Sequence, residues 1–284
     1  MRDLRPSLVI VAHGSRSDGW AQLVELFVAE VRAFPGVGDA FSGVHAAYLE
    51  HSQPRLAPTV RLAFEAGARE VLVLPLFLTY SVHAAEDVPA ILGLDVPDHV
   101  RQRLVAEGHD VLFPGLPLRL LELEDKNEVL AANVISRVSG SSKPTGKEAV
   151  VLCGYGSTLY HETWERLMGD LRRRLMEKGY AYVDRAYVGH SVANSPQPTE
   201  DAILKAAGMA GVESTFVVPL LLSDSSLQHG SIAQACAKVQ SETDYEVRYT
   251  ADAILPDPGL AARVAGAALH SMGVYATSET GVLA

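Results

Sequence analysis

Apolar positions along the chain fall into two patterns. Short continuous runs such as "LVIVA" at 8–12 and "EVLVLPL" at 70–76 alternate with longer stretches, such as 20–33, where apolar residues recur every three or four positions. The first pattern suits strands buried on both faces and the second suits amphipathic helices. In the first half this predicts strands at Leu8–Ala12, Val44–Tyr48, Glu70–Leu76 and Asp110–Phe113. Helices are expected at Trp20–Ala33, Arg55–Ala66 and about Asp87–Glu107, the last broken near Pro97. Continuous strands separated by helices specify an α/β, doubly wound unit: a mostly parallel four-stranded sheet flanked by helices.

The pattern then repeats. "PRLAPTVRLAFEAGAREVLVLPLFL" from Pro54 matches "PQPTEDAILKAAGMAGVESTFVVPLLL", whose corresponding proline is Pro198; Pro54 and Pro75 are 21 residues apart, as are Pro198 and Pro219. "AHGSRSDGWAQLVELFVAEVRA" matches "GYGSTLYHETWERLMGDLRRRL", "HAAYLEHS" matches "DRAYVGHS", and "GHDVLFPGLPL" parallels "DYEVRYTADAI". Two tandem copies follow, 1–135 and 150–284, joined by a Ser-, Gly-, Pro- and Lys-rich linker at 136–149.

Composition narrows the function classes. The chain has 284 residues, 48% hydrophobic and 20% charged, enough apolar material for one large core or two smaller ones. No apolar run approaches the roughly 18–20 residues of a membrane span, and "MRDLRPSLVI" places charges where a signal peptide needs an apolar segment, so a cytoplasmic protein is expected. A formal net charge of −10 speaks against nucleic acid as a partner. Cys153 and Cys236 form no CxxC pair and read as small buried apolar residues.

In doubly wound sheets, ligands bind beyond the carboxyl ends of the strands. Three such ends carry reactive side chains: His13 directly after the first strand, Glu50 after the second, and His83 in the loop after the third. The second copy acts as an internal control, because it keeps the scaffold but has Tyr155 opposite His13, Gly189 opposite Glu50 and about Leu227 opposite His83. The two imidazoles and the carboxylate are therefore dispensable to the fold, which points to function in the first copy. As metal ligands, His13, His83 and Glu50 suit Co²⁺, Ni²⁺, Fe²⁺ or Zn²⁺, and so few protein ligands leave coordination positions open. His51 and its counterpart His190 are read as structural caps.

"VAHGSRSDGW", "AAYLEHSQP" and "VLVLPLFLTYSVHAAEDVP" resemble the motifs of the class II tetrapyrrole chelatases, specifically the CbiX-type sirohydrochlorin chelatases, whose long members are fused tandem copies. The resemblance covers residues 7 to about 130 well and 149 to about 272 more weakly. It implies insertion of a divalent metal into sirohydrochlorin, with Co²⁺ for cobalamin biosynthesis the first choice and Fe²⁺ for sirohaem, or Ni²⁺, the alternatives. The metal is then a substrate, and no permanently bound cofactor is implied. His13 and His83 would bind the incoming ion, with His13 also accepting pyrrole protons, and Glu50, Leu78, Thr79, Tyr80, Ser81 and Val82 would contact or position the macrocycle.

Sirohydrochlorin is a polycarboxylate, so local donors would have to offset the acidic chain: Arg16, Arg55 and the helix starts after Ser15 and Ser52. The internal duplication fits a monomer. A carrier that binds metal or tetrapyrrole without catalysis would use the same ligands, and turnover separates the two. A histidine phosphatase would place Arg directly before His13, where this chain has Ala12.

Overall fold

In the computed structural model, residues 5–16, 18–79, 81–123, 126–139, 144–222 and 226–273 are described. The buried run Ser7–Ala12 forms β1, and the first copy continues through α1 (Asp18–Ala33), α2 (Val37–Ala40), β2 (Gly43–Tyr48), α3 (Leu56–Glu65) and β3 (Val71–Pro75). A π-helical turn, His83–Asp87, then runs into α4 (Val88–Ile91), followed by α5 (Asp98–Ala106) and β4 (Leu118–Leu120). The sheet has the order β2-β1-β3-β4 and every pairing is parallel. Val9 and Val11 face a core shared with Leu56, Ala57 and Val60 of α3, Val88 of α4 and Val100 and Leu104 of α5. Leu8 and Ile10, also fully buried, alternate to the opposite face.

The first copy ends with α6 (Lys126–Ser139), and the second comprises β5 (Glu148–Gly154), α7 (His161–Glu177), β6 (Tyr182–Tyr187), α8 (Gln197–Ala207), β7 (Ser214–Leu220), a second π-helical turn (Gln228–Ile232), α9 (Ala233–Glu242), β8 (Glu246–Tyr249) and α10 (Pro258–Ser271). Its sheet, β6-β5-β7-β8, is again entirely parallel. One face packs Val151, Cys153 and Val217 against α8 and α9, so both cysteines lie in a core.

The fourth strand is corrected. Asp110–Phe113 is not a strand: Arg61 binds the Asp110 carboxylate, the Leu112 N–H donates to the Ile91 carbonyl at 2.8 Å, and the Phe113 side chain is exposed. The fourth strand forms instead at Leu118–Leu120, past the "PGLP" turn, pairing with Val71–Val73. It is a short edge strand, entered directly from Pro117. The helical stretch over 87–107 is broken at Pro97 as expected, and divides into the π-turn, α4 and α5, with α5 starting directly after Pro97, whose ring suits a helix entrance better than an interior. Around the stretch expected as a linker, α6 runs to Ser139 and β5 begins at Glu148.

The compact units also cut the chain differently from the sequence repeat. One contains residues 1–77, 82–126 and 256–284, and the other 78–81 and 127–255. In the first unit α10 packs on α1, α2 and β3, burying Leu260, Ala261, Val264, Ala265, Ala268 and Leu269, while Arg119 donates to the Ser271 carbonyl at 2.7 Å. In the second, Asn133 and Arg137 of α6 donate to the carbonyls of Ile254, Pro219 and Asp252. Each unit therefore contains the last helix of the other copy. No helix among the described residues is long and apolar enough to cross a membrane.

A candidate metal centre at the strand ends of the first unit

The strand order reverses between β1 and β3, the place where parallel α/β sheets open a crevice. His13 leaves β1 there, Glu50 follows β2, and His83 begins the π-turn after β3. The motif His13-Gly14-Ser15 brings the first two loops together. Gly14 has φ of +98°, and a Cβ at that position would lie 1.7 Å from the Glu50 carbonyl oxygen, so only glycine fits. The Glu50 N–H donates to the His13 carbonyl at 2.8 Å, and Ser52 Oγ accepts from the Ser15 N–H and donates to the Ser15 carbonyl. That Ser15 N–H is thus spent inside the protein rather than offered to an anion.

The ligating atoms of His13, Glu50 and His83 lie within 4.8 Å of one another, all on half-buried side chains, the metal-capable cluster found among the described residues. His13 Nδ1 donates to the Gly14 carbonyl at 3.0 Å and His83 Nδ1 faces Asp87 Oδ2 at 2.6 Å. These acceptors assign the ring protons to Nδ1 in both residues and leave each Nε2 as a lone pair. The two Nε2 atoms stand 3.1 Å apart. For metal–nitrogen bonds of about 2.1 Å that separation subtends roughly 95°, nearer a cis octahedral than a tetrahedral angle. Burial lowers the His13 pKa, opposed by the Gly14 carbonyl and assisted by His83, which favours the neutral, metal-binding imidazole.

Behind His83 lies a pair that sequence reasoning missed. Burial pushes the Asp87 carboxyl upward, but hydrogen bonds from His83 and from Arg103 more than offset it, and its pKa falls below the ordinary value. Arg103 Nη2 sits 2.5 Å from Asp87 Oδ1. Asp87 was visible in "HAAEDVP"; Arg103, sixteen residues on and in another helix, left no sequence signal.

The remaining expected residues are distributed. Arg16 is exposed at the loop beyond β1, and Arg55 is turned inward, donating to the Leu49 carbonyl. Leu78, Thr79 and Ser81 are half-buried members of the second compact unit, where Thr79 Oγ1 lies 2.6 Å from Thr163 Oγ1. Val82 precedes the π-turn, and Tyr80 lies outside the described residues. His51 Nε2 faces Glu50 Oε2 at 3.3 Å and its ring centroid is 6.5 Å from that of His13.

In the second unit Tyr155 occupies the His13 position with its ring 5.7 Å from His190, and Gly189 occupies that of Glu50. The paired π-turns place the buried Gln228, rather than Leu227, opposite His83, and Ile232 opposite Asp87.

The CbiX family model matches residues 7–137. The sirohydrochlorin cobaltochelatase of Methanocaldococcus jannaschii is 32% identical over 93 residues, 33% of this chain and 62% of that protein. That of Methanopyrus kandleri is 35% identical over 89 residues, 31% of this chain and 59% of that protein. The chain thus spans about three fifths of the length of these relatives. Among solved structures, SirB from Bacillus subtilis with Fe³⁺ superposes with a TM-score of 0.70 at 19% identity, covering 95% of this chain and 98% of that one.

Proposed function

We propose that this protein, whose residues 7–137 match the CbiX family model, is a sirohydrochlorin chelatase acting through His13, Glu50 and His83, with Co²⁺ as the preferred metal. The observation that carries the reading is the convergence of two imidazole Nε2 atoms and one carboxylate at the switch point of the first sheet. Nitrogen and oxygen donors of this kind accept first-row divalent ions, and three protein ligands leave room for transfer. The likeness to proteins named cobaltochelatases supports cobalt; Fe²⁺ and Ni²⁺ are the alternatives that the same donors would take.

Insertion exchanges two pyrrole N–H protons for one divalent ion, so the site must hold a metal, release it and receive protons. His13 and His83 hold the ion through Nε2 and Glu50 supplies the third donor. Once the ion moves to the macrocycle, the Nε2 lone pair of His13 is free to accept one of the two protons while the other passes to water, which removes the conflict between its two tasks. Leu78, Thr79, Tyr80, Ser81 and Val82 position the macrocycle, and Arg16, the exposed cation beside the motif, meets a substrate carboxylate.

The test is anaerobic absorbance of sirohydrochlorin with Co²⁺, Fe²⁺ and Ni²⁺, comparing wild type, His13→Ala and His83→Ala with the uncatalysed rate. A rate enhancement that falls by about 10²-fold or more in each variant is expected, the range for loss of a positioned acid–base group. Tight metal binding without any acceleration by wild type would instead identify a carrier.

A further inference from the structure

The two histidines are anchored differently. His13 Nδ1 meets a neutral backbone carbonyl, whereas His83 Nδ1 meets the Asp87 carboxylate at 2.6 Å. Asp87 has a side chain only 5% exposed and uses one oxygen for His83 and the other for Arg103 Nη2 at 2.5 Å. Arg103 is also within reach of Glu107 at 3.4 Å and Glu86 at 3.7 Å, both on the solvent side. A buried carboxylate normally costs stability unless it is fully paired, and Asp87 is paired through both of its oxygens.

The carboxylate goes with the histidine. In the second unit Gln228 and Ile232 stand at the positions of His83 and Asp87, in a π-turn that is kinked at Gly230. Where the imidazole is absent, the carboxylate is absent too.

We propose that Asp87 and Arg103 are positioning residues for metal delivery: Asp87 keeps His83 in the Nδ1-protonated tautomer with Nε2 directed at the ion, and Arg103 holds Asp87 in place. This rests on the reading of His13, Glu50 and His83 as the metal site. A carboxylate behind a ligating imidazole fixes ring orientation and tautomer and typically contributes 10–100-fold in metal affinity. Because Arg103 touches no ligand atom of the cluster in this arrangement, its whole effect should pass through Asp87.

The experiment titrates Co²⁺ into the full-length protein, following ligand-field absorption, for wild type, His83→Ala, Asp87→Asn, Arg103→Met, Arg103→Lys and the Asp87→Asn/Arg103→Met double variant. Asp87→Asn should weaken binding about 10-fold or more and Arg103→Met by a smaller factor of about 3–10, with Arg103→Lys recovering part of the loss. The double variant should match Asp87→Asn alone, a non-additivity that two independent structural defects would not produce. Arg103 is substantially exposed and its replacement is compatible with folding, which a thermal melt of each variant verifies. Wild-type affinity in Asp87→Asn or Arg103→Met, or an undiminished Arg103→Met effect in the Asp87→Asn background, overturns the positioning role. If His83→Ala itself binds Co²⁺ normally, the metal-site reading fails first, and the two failures are told apart.

Discussion

Replacing Gly14 with alanine should damage stability and site together, by amounts that can be worked from the structure. The backbone φ of +98° is left-handed territory, costing an L side chain about 1–2 kcal/mol. The added Cβ would also lie 1.7 Å from the Glu50 carbonyl oxygen and 2.8 Å from its carbon, both backbone atoms without rotamer freedom. Relieving that overlap means moving the β2 loop by more than about 1 Å, at the roughly 1–3 kcal/mol typical of overpacking. The sum, about 2–5 kcal/mol, is a large share of the ~5–15 kcal/mol by which domains are stable. The same displacement stretches the 2.8 Å hydrogen bond from the Glu50 N–H to the His13 carbonyl and separates two of the three metal donors. Urea denaturation and Co²⁺ titration measure the two effects. Gly115→Ala is the comparison, since its φ is +89° but its Cβ would meet open space, leaving only the backbone cost. If Gly14→Ala were no more destabilising than Gly115→Ala and bound Co²⁺ like wild type, the close-approach argument would be refuted.

Protonation offers a second check. Burial, reinforced by Arg32, lowers the pKa of His45 below the ordinary 6.5, so below that pH the unfolded chain takes up more protons than the folded one. The contribution of His45 is thus fully present above the unfolded pKa and is lost as pH falls toward the folded one; urea midpoints at pH 5.5 and 7.5 should differ less in His45→Gln than in wild type, and an equal difference would remove His45 as a cause. Leu269, fully buried in α10, should cost about 2–5 kcal/mol when cut to alanine, read as a lower thermal midpoint; a change within 0.5 kcal/mol, on the order of an ordinary surface substitution, would mean that α10 contributes little to its core.

Strands with unbroken apolar runs were legible in the sequence, because a parallel strand covered on both faces leaves no polar alternation to confuse the pattern. Thus Leu8–Ala12 and Val44–Tyr48 were placed within a residue of β1 and β2. The fourth strand was not, since "DVLF" has the composition of a strand while Arg61 and the Ile91 carbonyl, both distant in sequence, hold Asp110 and Leu112 out of the sheet. The histidines and Glu50, which the structure brings together, are legible as candidates because they follow strands, and Tyr155 and Gly189 stand in the places of His13 and Glu50 in the second copy. Asp87 was readable as part of a motif, but its partner Arg103 could emerge only from the angle at which α5 returns to the π-turn. The offset of one residue that puts Gln228, not Leu227, opposite His83 lies in a loop, where nothing periodic fixes the register.

The exchange of terminal helices bears on how such a duplicated gene can evolve. A second copy without counterparts of His13, Glu50 and His83 would ordinarily be free to decay or disappear. Here, deleting it would strip the first unit of α10, whose Leu260, Val264 and Leu269 are buried among the first unit's own residues. The first copy's α6 is likewise committed to the second unit, where it binds the carbonyls of Pro219 and Ile254. Any constraint on His13, Glu50 and His83 therefore extends to a stretch of chain that carries none of them, because the unit that holds them is built in part from the second copy.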